Sequence, residues 1–311
     1  MASPLDWKKA VIHLECAMDR KSIEERLNEQ KGLWAKLDAK EISFNQYSEE
    51  VLHISSEARD MRSRGTALFM EHESRKYLLT ARHVVDKTMV RRLCNLPIDS
   101  YDRDRDSIFS IIFRLPNLDE KISTIPEFLM NLGAGVSWMS PYTFSSNPDV
   151  DLAIISLDQR DSRFVNELLE HGYRPITSSD ISEEPSAEGG DIYTIGFPDA
   201  ISVLGSVSIP PSLLPWSSSS VSLPAYAYGK VSMLHNELSF FWGDISIFPG
   251  NSGGPVIENG KLVGIVSKQP VIAAEGQAQI GIRVPFAKIT KSKYISELLE
   301  RQIEKDNASN M

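Results

Sequence analysis

The chain has 311 residues, 41% of them hydrophobic and 24% charged, an ordinary globular composition that excludes a fibrous or wholly disordered protein. That length exceeds what one hydrophobic core usually fills, so two packed lobes and an added segment are expected. A formal net charge of −9 gives a nucleic acid backbone no overall attraction, and only two cysteines, Cys16 and Cys94, exclude a disulfide framework of the secreted kind.

In chain order, residues 1–21 interrupt their apolar positions with His13 and Glu15 and offer no small-residue cleavage site, so no secretory leader is expected. No run approaches the ~20 apolar residues that span a bilayer; a cytoplasmic protein with no membrane partner is expected. Residues 5–61 hold no proline and one glycine, Gly32, among many Glu, Lys, Leu and Ala, which is helix composition. Trp7, Val11, Leu14 and Met18 recur at helical spacing, Ile23 and Leu27 follow, and Leu33, Trp34 and Leu37 open a further run. Two or three helices are predicted. Ser43 with Gln46, and Ser48 ahead of Val51 and Leu52, supply capping side chains near a break at 41–45.

From Gly65 the texture changes to short apolar runs between turn residues, among them TALFM, KYLLT, DLAIISL, DIYTIGF and KLVGIVS. This is the pattern of an all-β barrel or sandwich. Residues 161–171 interrupt it with a helix-like DSRFVNELLEH, and 210–224 with a Ser/Pro-rich loop. Residues 288–305 place Ile295, Leu298, Leu299 and Ile303 at the spacing of a closing helix.

The sharpest chemical signal is Pro249-Gly250-Asn251-Ser252-Gly253-Gly254-Pro255-Val256, set between two predicted strands. Glycines around a serine let the backbone turn tightly and approach a substrate, and such a turn can aim N–H groups at a developing oxyanion. A serine hydroxyl is a weak nucleophile without an adjacent base. His83, in LLTARHVV, is offered at the exit of an apolar strand. A carboxylate must then hold the imidazole tautomer, and Asp151, in PDVDLAII, stands directly before a buried strand, with Asp149 as its rival. His13, His53, His72, His171 and His235 lack such context and read as packing or surface residues. Asp102 to Asp106 read as a solvated turn. The cysteines have no metal-ligand spacing, so neither a metal nor a cofactor is expected.

TARHVV, DLAII and GNSGGPV, in the order His, Asp, Ser, resemble the catalytic segments of trypsin-like serine peptidases, with a look nearest to the bacterial HtrA-type branch. Arg64 to Phe69, Gly196-Phe197-Pro198, Gly229 to Ser232 and Gly281 to Pro285 extend the resemblance over about 64–290. It implies two six-stranded antiparallel β-barrels in a peptidase domain at 62–311, preceded by a helical segment at 1–61 and closed by a C-terminal helix. It implies Ser252 as nucleophile, His83 as base, Asp151 as its orienter, and the amides of Gly250 and Ser252 as oxyanion hole. Six positions before the nucleophile, Ser246 would floor the specificity pocket, with Ser267, Lys268 and Gln269 as a wall that pairs with the substrate backbone. Asp244 reaches that floor if the register differs. The 68 positions from His83 to Asp151 imply an insertion over 91–146, and no PDZ module is expected after the domain.

The function so implied is an endopeptidase acting on protein or peptide substrates through an acyl-enzyme. Two other readings stand beside it: a non-catalytic peptide-binding module on the same scaffold, and an effector protease held inactive until a regulatory partner binds the N-terminal helices. Nucleic acid is not an expected partner.

Overall fold

Ser3 opens the first helix of the computed structural model, α1 (Pro4–Ala10): its hydroxyl accepts from the Asp6 N–H while the Asp6 carboxylate accepts from the Ser3 N–H. The model describes residues 2–18, 23–56, 61–86, 109–114, 127–131, 142–147, 149–157, 162–199, 203–206, 220–274 and 277–309. The helix stops at Ala10, and Val11–Met18 is strand β1, where the apolar spacing predicts helix. β1 pairs antiparallel with β2 (Met61–His72) on one side and β4 (Phe109–Arg114) on the other. Val11 enters one core while Ile12 and Leu14 enter another. A strand buried on both faces shows no alternation, so its apolar positions fall into helical spacing by coincidence.

Helices do follow, as α2 (Ile23–Asp38) and α3 (Phe44–Ser56), with Ser43 and Gln46 capping each other ahead of α3. Trp34, Phe44 and Leu52 on this pair are exposed.

The first sheet runs β5-β4-β1-β2-β3-β7-β6, with β3 at Arg75–Thr80, β5 at Glu127–Asn131, β6 at Tyr142–Phe144 and β7 at Ala153–Ser156. A two-residue strand, β8 (Ile176–Thr177), adds parallel to β2. Among the described residues this sheet is an open path; a closed six-stranded barrel was the expectation. The second sheet does close, in the order β12-β13-β18-β15-β14-β9. Its strands are β9 (Asp191–Gly196), β12 (Ala225–Met233), β13 (Phe240–Ile245), β14 (Pro255–Glu258), β15 (Lys261–Lys268) and β18 (Ala287–Lys291), while β10 (Val203–Ser206) with β11 (Ser220–Ser222) and β16 (Val271–Ala274) with β17 (Gln277–Arg283) form two separate pairs. Residues 288–291, expected to begin the closing helix, belong to β18, because Ala287 and Ile289 fill the barrel and the strand gains partners in both β13 and β15. The final helix, α6, spans Ile295–Ser309.

Most of the insertion expected over 91–146 lies outside the described residues, as do Cys94, the turn at 102–106 and most of the Ser/Pro-rich loop. The helix expected near 161–171 is α5 (Ser162–Glu170), which packs Phe164, Val165 and Leu168 onto the first sheet. Between the two sheets, Leu68, Met70 and Leu79 meet Ile195, Phe197, Ile257 and Ile265, with Leu298 and Leu299 of α6 closing one side. Among the described residues no helix is long and apolar enough to cross a membrane.

Candidate active site

Strand β3 is fully buried from Tyr77 to its end at Thr80, and the next residue, Ala81, is the N-cap of a single helical turn, α4 (Arg82–Val85). Val84 and Val85 anchor that turn in the core, which leaves His83 at the surface with 24% of its side chain exposed. Asp151 sits between the fully buried Val150 and Leu152, just ahead of β7. Its Oδ1 accepts the His83 backbone N–H at 3.0 Å, and its Oδ2 lies 2.7 Å from His83 Nδ1. One carboxylate therefore holds both the backbone and the ring of one residue. A ring nitrogen facing an ionised carboxylate carries the proton, which leaves Nε2 as the basic nitrogen.

Burial raises the Asp151 carboxyl, but the hydrogen bond and charge of His83, together with Ser267 and the His83 backbone, outweigh it and hold the group below the ordinary carboxylate range. The Ser267 hydroxyl donates to the same Oδ2 at 2.6 Å. Asp149, in contrast, is exposed, and its own N–H donates to Asn147 Oδ1 at 2.9 Å.

Ser252 lies in the loop from β13 to β14. The carbonyls of this loop are engaged in succession: Pro249 O by the Asp199 N–H, Gly250 O by the Thr66 hydroxyl, Asn251 O by the Gly254 N–H and Ser252 O by the Thr66 N–H, each at 2.8 Å. The amides of Asn251 and Gly253 are also committed, to Phe248 O and Val266 O. Among the described hydrogen bonds, the amides of Gly250 and Ser252 donate to no backbone or side-chain group. The loop needs its glycines. Gly250 has φ +96°, and a Cβ there would lie 2.1 Å from Phe197 O. At Gly253, φ is +87°, and a Cβ would lie 2.0 Å from Thr66 O. Neither space admits a side chain.

The three segments converge on β2. A Cβ at Gly65 would lie 2.7 Å from Val84 Cγ1 and 3.0 Å from Ser252 O, so the histidine turn and the serine loop press on one glycine from two sides. Ser267 joins them again: its hydroxyl binds Asp151 and its carbonyl accepts the Ser252 Oγ–H at 3.1 Å. The single proton of the Ser252 hydroxyl is thus directed at Ser267 O in this conformation, not at His83.

The residues expected to line the substrate pocket are more scattered. Ser267 is buried and its hydroxyl is committed to Asp151. Lys268 is exposed at the end of β15, and Gln269 donates through Nε2 to Val284 O at 3.0 Å. Ile245 and Ile247 point into the barrel, so strand alternation places Asp244 and Ser246 together on the outer, exposed side. Asp244 stands opposite Lys230 in the β12–β13 register.

The family model described as a trypsin-like peptidase domain matches residues 65–265, more than half of the chain. The chain belongs to the trypsin-like peptidase family. A search of curated proteins found no match. The match begins at Gly65, so β1 lies before the matched region yet pairs, from Val11 to Leu14, with residues 65–68 of β2 inside it. Two members of the site were not legible beforehand as such. The resemblance implies Ser267 as pocket wall, and the structure adds that its hydroxyl binds Asp151; it implies Thr66 only as part of the first strand, and the structure adds that its hydroxyl binds Gly250 O. A Ser or Thr within a strand has no signature that distinguishes it from packing, since the partner is more than a hundred residues away in sequence.

Proposed function

We propose that the chain is a serine endopeptidase and that its peptidase chemistry runs through Ser252, His83 and Asp151. The observation that carries this reading is the His83–Asp151 pair, joined through Ser267 to a serine whose loop leaves two neighbouring amides unengaged. For reaction the Ser252 hydroxyl turns from Ser267 O toward His83 Nε2. As Oγ attacks the scissile carbonyl, Nε2 takes its proton, and Asp151 stabilises the imidazolium that forms. The amides of Gly250 and Ser252 receive the oxyanion. His83 returns the proton to the leaving nitrogen as the C–N bond breaks, so the amine departs with the bond's electron pair and an ester remains on Ser252. Water then loses a proton to the same nitrogen, attacks the ester and frees the acid, and the proton goes back to Ser252.

The family resemblance, which puts the pocket floor at Ser246, supports cleavage after uncharged, apolar or small polar residues, since that side chain offers a hydroxyl and no charge to a cationic head; Asp244, on the same exposed side of the strand, is the carboxylate that would reverse the preference. The test is labelling by a fluorophosphonate probe, followed by peptide mapping. The expected result is a single adduct on Ser252, lost in Ser252→Ala and His83→Ala. A folded wild-type chain that takes no label and cleaves no peptide library would leave the binding-module reading in its place.

A further inference from the structure

We propose that the Thr66 hydroxyl is a positioning group for the oxyanion hole, holding the loop at 249–252 so that the amides of Gly250 and Ser252 stay aimed at one point. The proposal rests on the serine hydrolase reading and names a group that controls its rate.

The argument begins with peptide geometry. A trans peptide is planar, with its C=O and N–H directed oppositely, so whatever grips a carbonyl aims the next residue's amide. The Gly250 amide belongs to the peptide whose carbonyl, Pro249 O, is gripped by the Asp199 N–H, and the Ser252 amide to the one whose carbonyl, Asn251 O, is gripped by the Gly254 N–H. Between them lies the Gly250–Asn251 peptide. Its carbonyl is held by the Thr66 Oγ–H at 2.8 Å. This middle peptide is the joint on which both amides depend, and it hangs on a glycine, the residue least constrained in φ and ψ.

The same oxygen acts a second time. Thr66 Oγ1 accepts the Phe197 N–H at 3.0 Å, which sets the start of the turn whose Asp199 N–H grips Pro249 O. One hydroxyl therefore stands at the meeting of two routes, one direct to Gly250 O and one through residues 197–199 to Pro249 O. Thr66 is itself immobile: it is fully buried, its N–H donates to Ser252 O, and its carbonyl accepts from Thr80 Oγ1 at 2.7 Å. Loss of the hydroxyl leaves Gly250 O and the Phe197 N–H buried with no partner from this side, and a rotation of the Gly250–Asn251 peptide that relieves Gly250 O pulls the Asn251 N–H from Phe248 O and shifts the flanking peptides, so the Gly250 and Ser252 amides lose their common aim.

Thr66→Ala and Thr66→Ser decide the matter, since they differ only in the hydroxyl oxygen. Both are assayed for peptide hydrolysis and for the rate of fluorophosphonate labelling, with thermal melting as a check on folding. For Thr66→Ala, kcat and the labelling rate should fall about 10- to 100-fold while KM stays within about threefold, because small displacements of a catalytic group cost that much in rate and little in binding. Thr66→Ser should stay within about threefold of wild type on every measure. A fall that appears in KM alone, a fall that Thr66→Ser shares in full, or a Thr66→Ala enzyme as fast as wild type would each overturn the proposal. If Thr66→Ala does not fold, Thr66→Cys, with a weaker donor of similar size, must show the same loss in kcat. Absence of Ser252 labelling in wild type would instead overturn the hydrolase reading.

Discussion

Replacing Asp151 by asparagine tests the site at its most specific contact. Oδ1 receives the His83 backbone N–H, whereas Oδ2 receives both the His83 ring and the Ser267 hydroxyl. An asparagine must place its NH2 at one of these positions. At Oδ1 it would face the backbone N–H, donor against donor, leaving a partly buried amide unsatisfied at a cost of about 1–3 kcal/mol. At Oδ2 it faces His83 Nδ1, which can accept in its other tautomer, and Ser267, whose hydroxyl can turn to accept. The second orientation therefore wins, and it fixes the proton of His83 on Nε2, where the base must be free. Turnover should fall about 10⁴-fold, the size of the same change in serine proteases, which is about 5 kcal/mol in the barrier. The fold should survive, because each hydrogen-bonding position still has a partner. Steady-state kinetics on a cleaved peptide, with melting curves alongside, measure both. A folded Asp151→Asn enzyme with near wild-type turnover, and a crippled Asp149→Asn, would refute the assignment and the tautomer argument together.

Deletion of residues 1–60 should give insoluble protein, because it removes β1 from between β2 and β4 and takes Trp7, Val11 and Ile12 out of the two cores that Leu68 and Phe69 enter; replacing only 23–56 by a short polar linker should leave a soluble, β-rich chain by circular dichroism. The Asp151 carboxyl, held below its unfolded value, contributes stability that is complete above about pH 4 and is lost as pH falls through its folded value. In melting curves from pH 5 downward, Asp151→Asn should lack that part of the acid-side loss, and an unchanged pH profile would contradict the cause given. A peptide library should show cleavage after uncharged residues; strict cleavage after Arg or Lys, abolished by Asp244→Ala, would move the pocket floor from Ser246 to Asp244.

Much of the β-rich part was legible because strands buried on both faces leave unbroken apolar runs. TALFM and KYLLT are such runs: Ala67 and Phe69 enter one core, Leu68 and Met70 the other. The same physics misled the reading of β1. VIHLE, the first five residues of β1, is also buried on both faces, with His13 stacked on Phe197 at 5.0 Å and hydrogen-bonded through Nδ1 to Ser222 Oγ. Its polar residues broke the run, and without a Gly or Pro to mark the boundary it merged with the helix-forming residues around it. Its partners, in β2 and β4, lie far along the chain, where local propensity carries no information. Likewise β18 was absorbed into the closing helix, because Lys288 to Lys291 is too short a strand to show a period of its own.

At the site, the residues that could be found from sequence were those whose chemistry imposes a local pattern. Glycines at 250 and 253 are demanded by positive φ and by backbone contacts near 2 Å, and a histidine after an apolar strand is demanded by the need to project a base from a fixed edge. Thr66, Ser267 and Asp199 act through hydrogen bonds to partners far along the chain, and the bonds from Asp199 to Pro249 O and from Thr66 to Ser252 O come from the backbone. A backbone N–H is supplied by any residue but proline, so no choice of side chain advertises it. The hydroxyls could have been suspected, because a Thr or Ser in a fully buried strand position must spend its proton somewhere. Thr66 spends it on Gly250 O and Ser267 on Asp151, so the two groups least visible in the sequence are those that bind the serine loop and the histidine–aspartate pair to the strands beneath them.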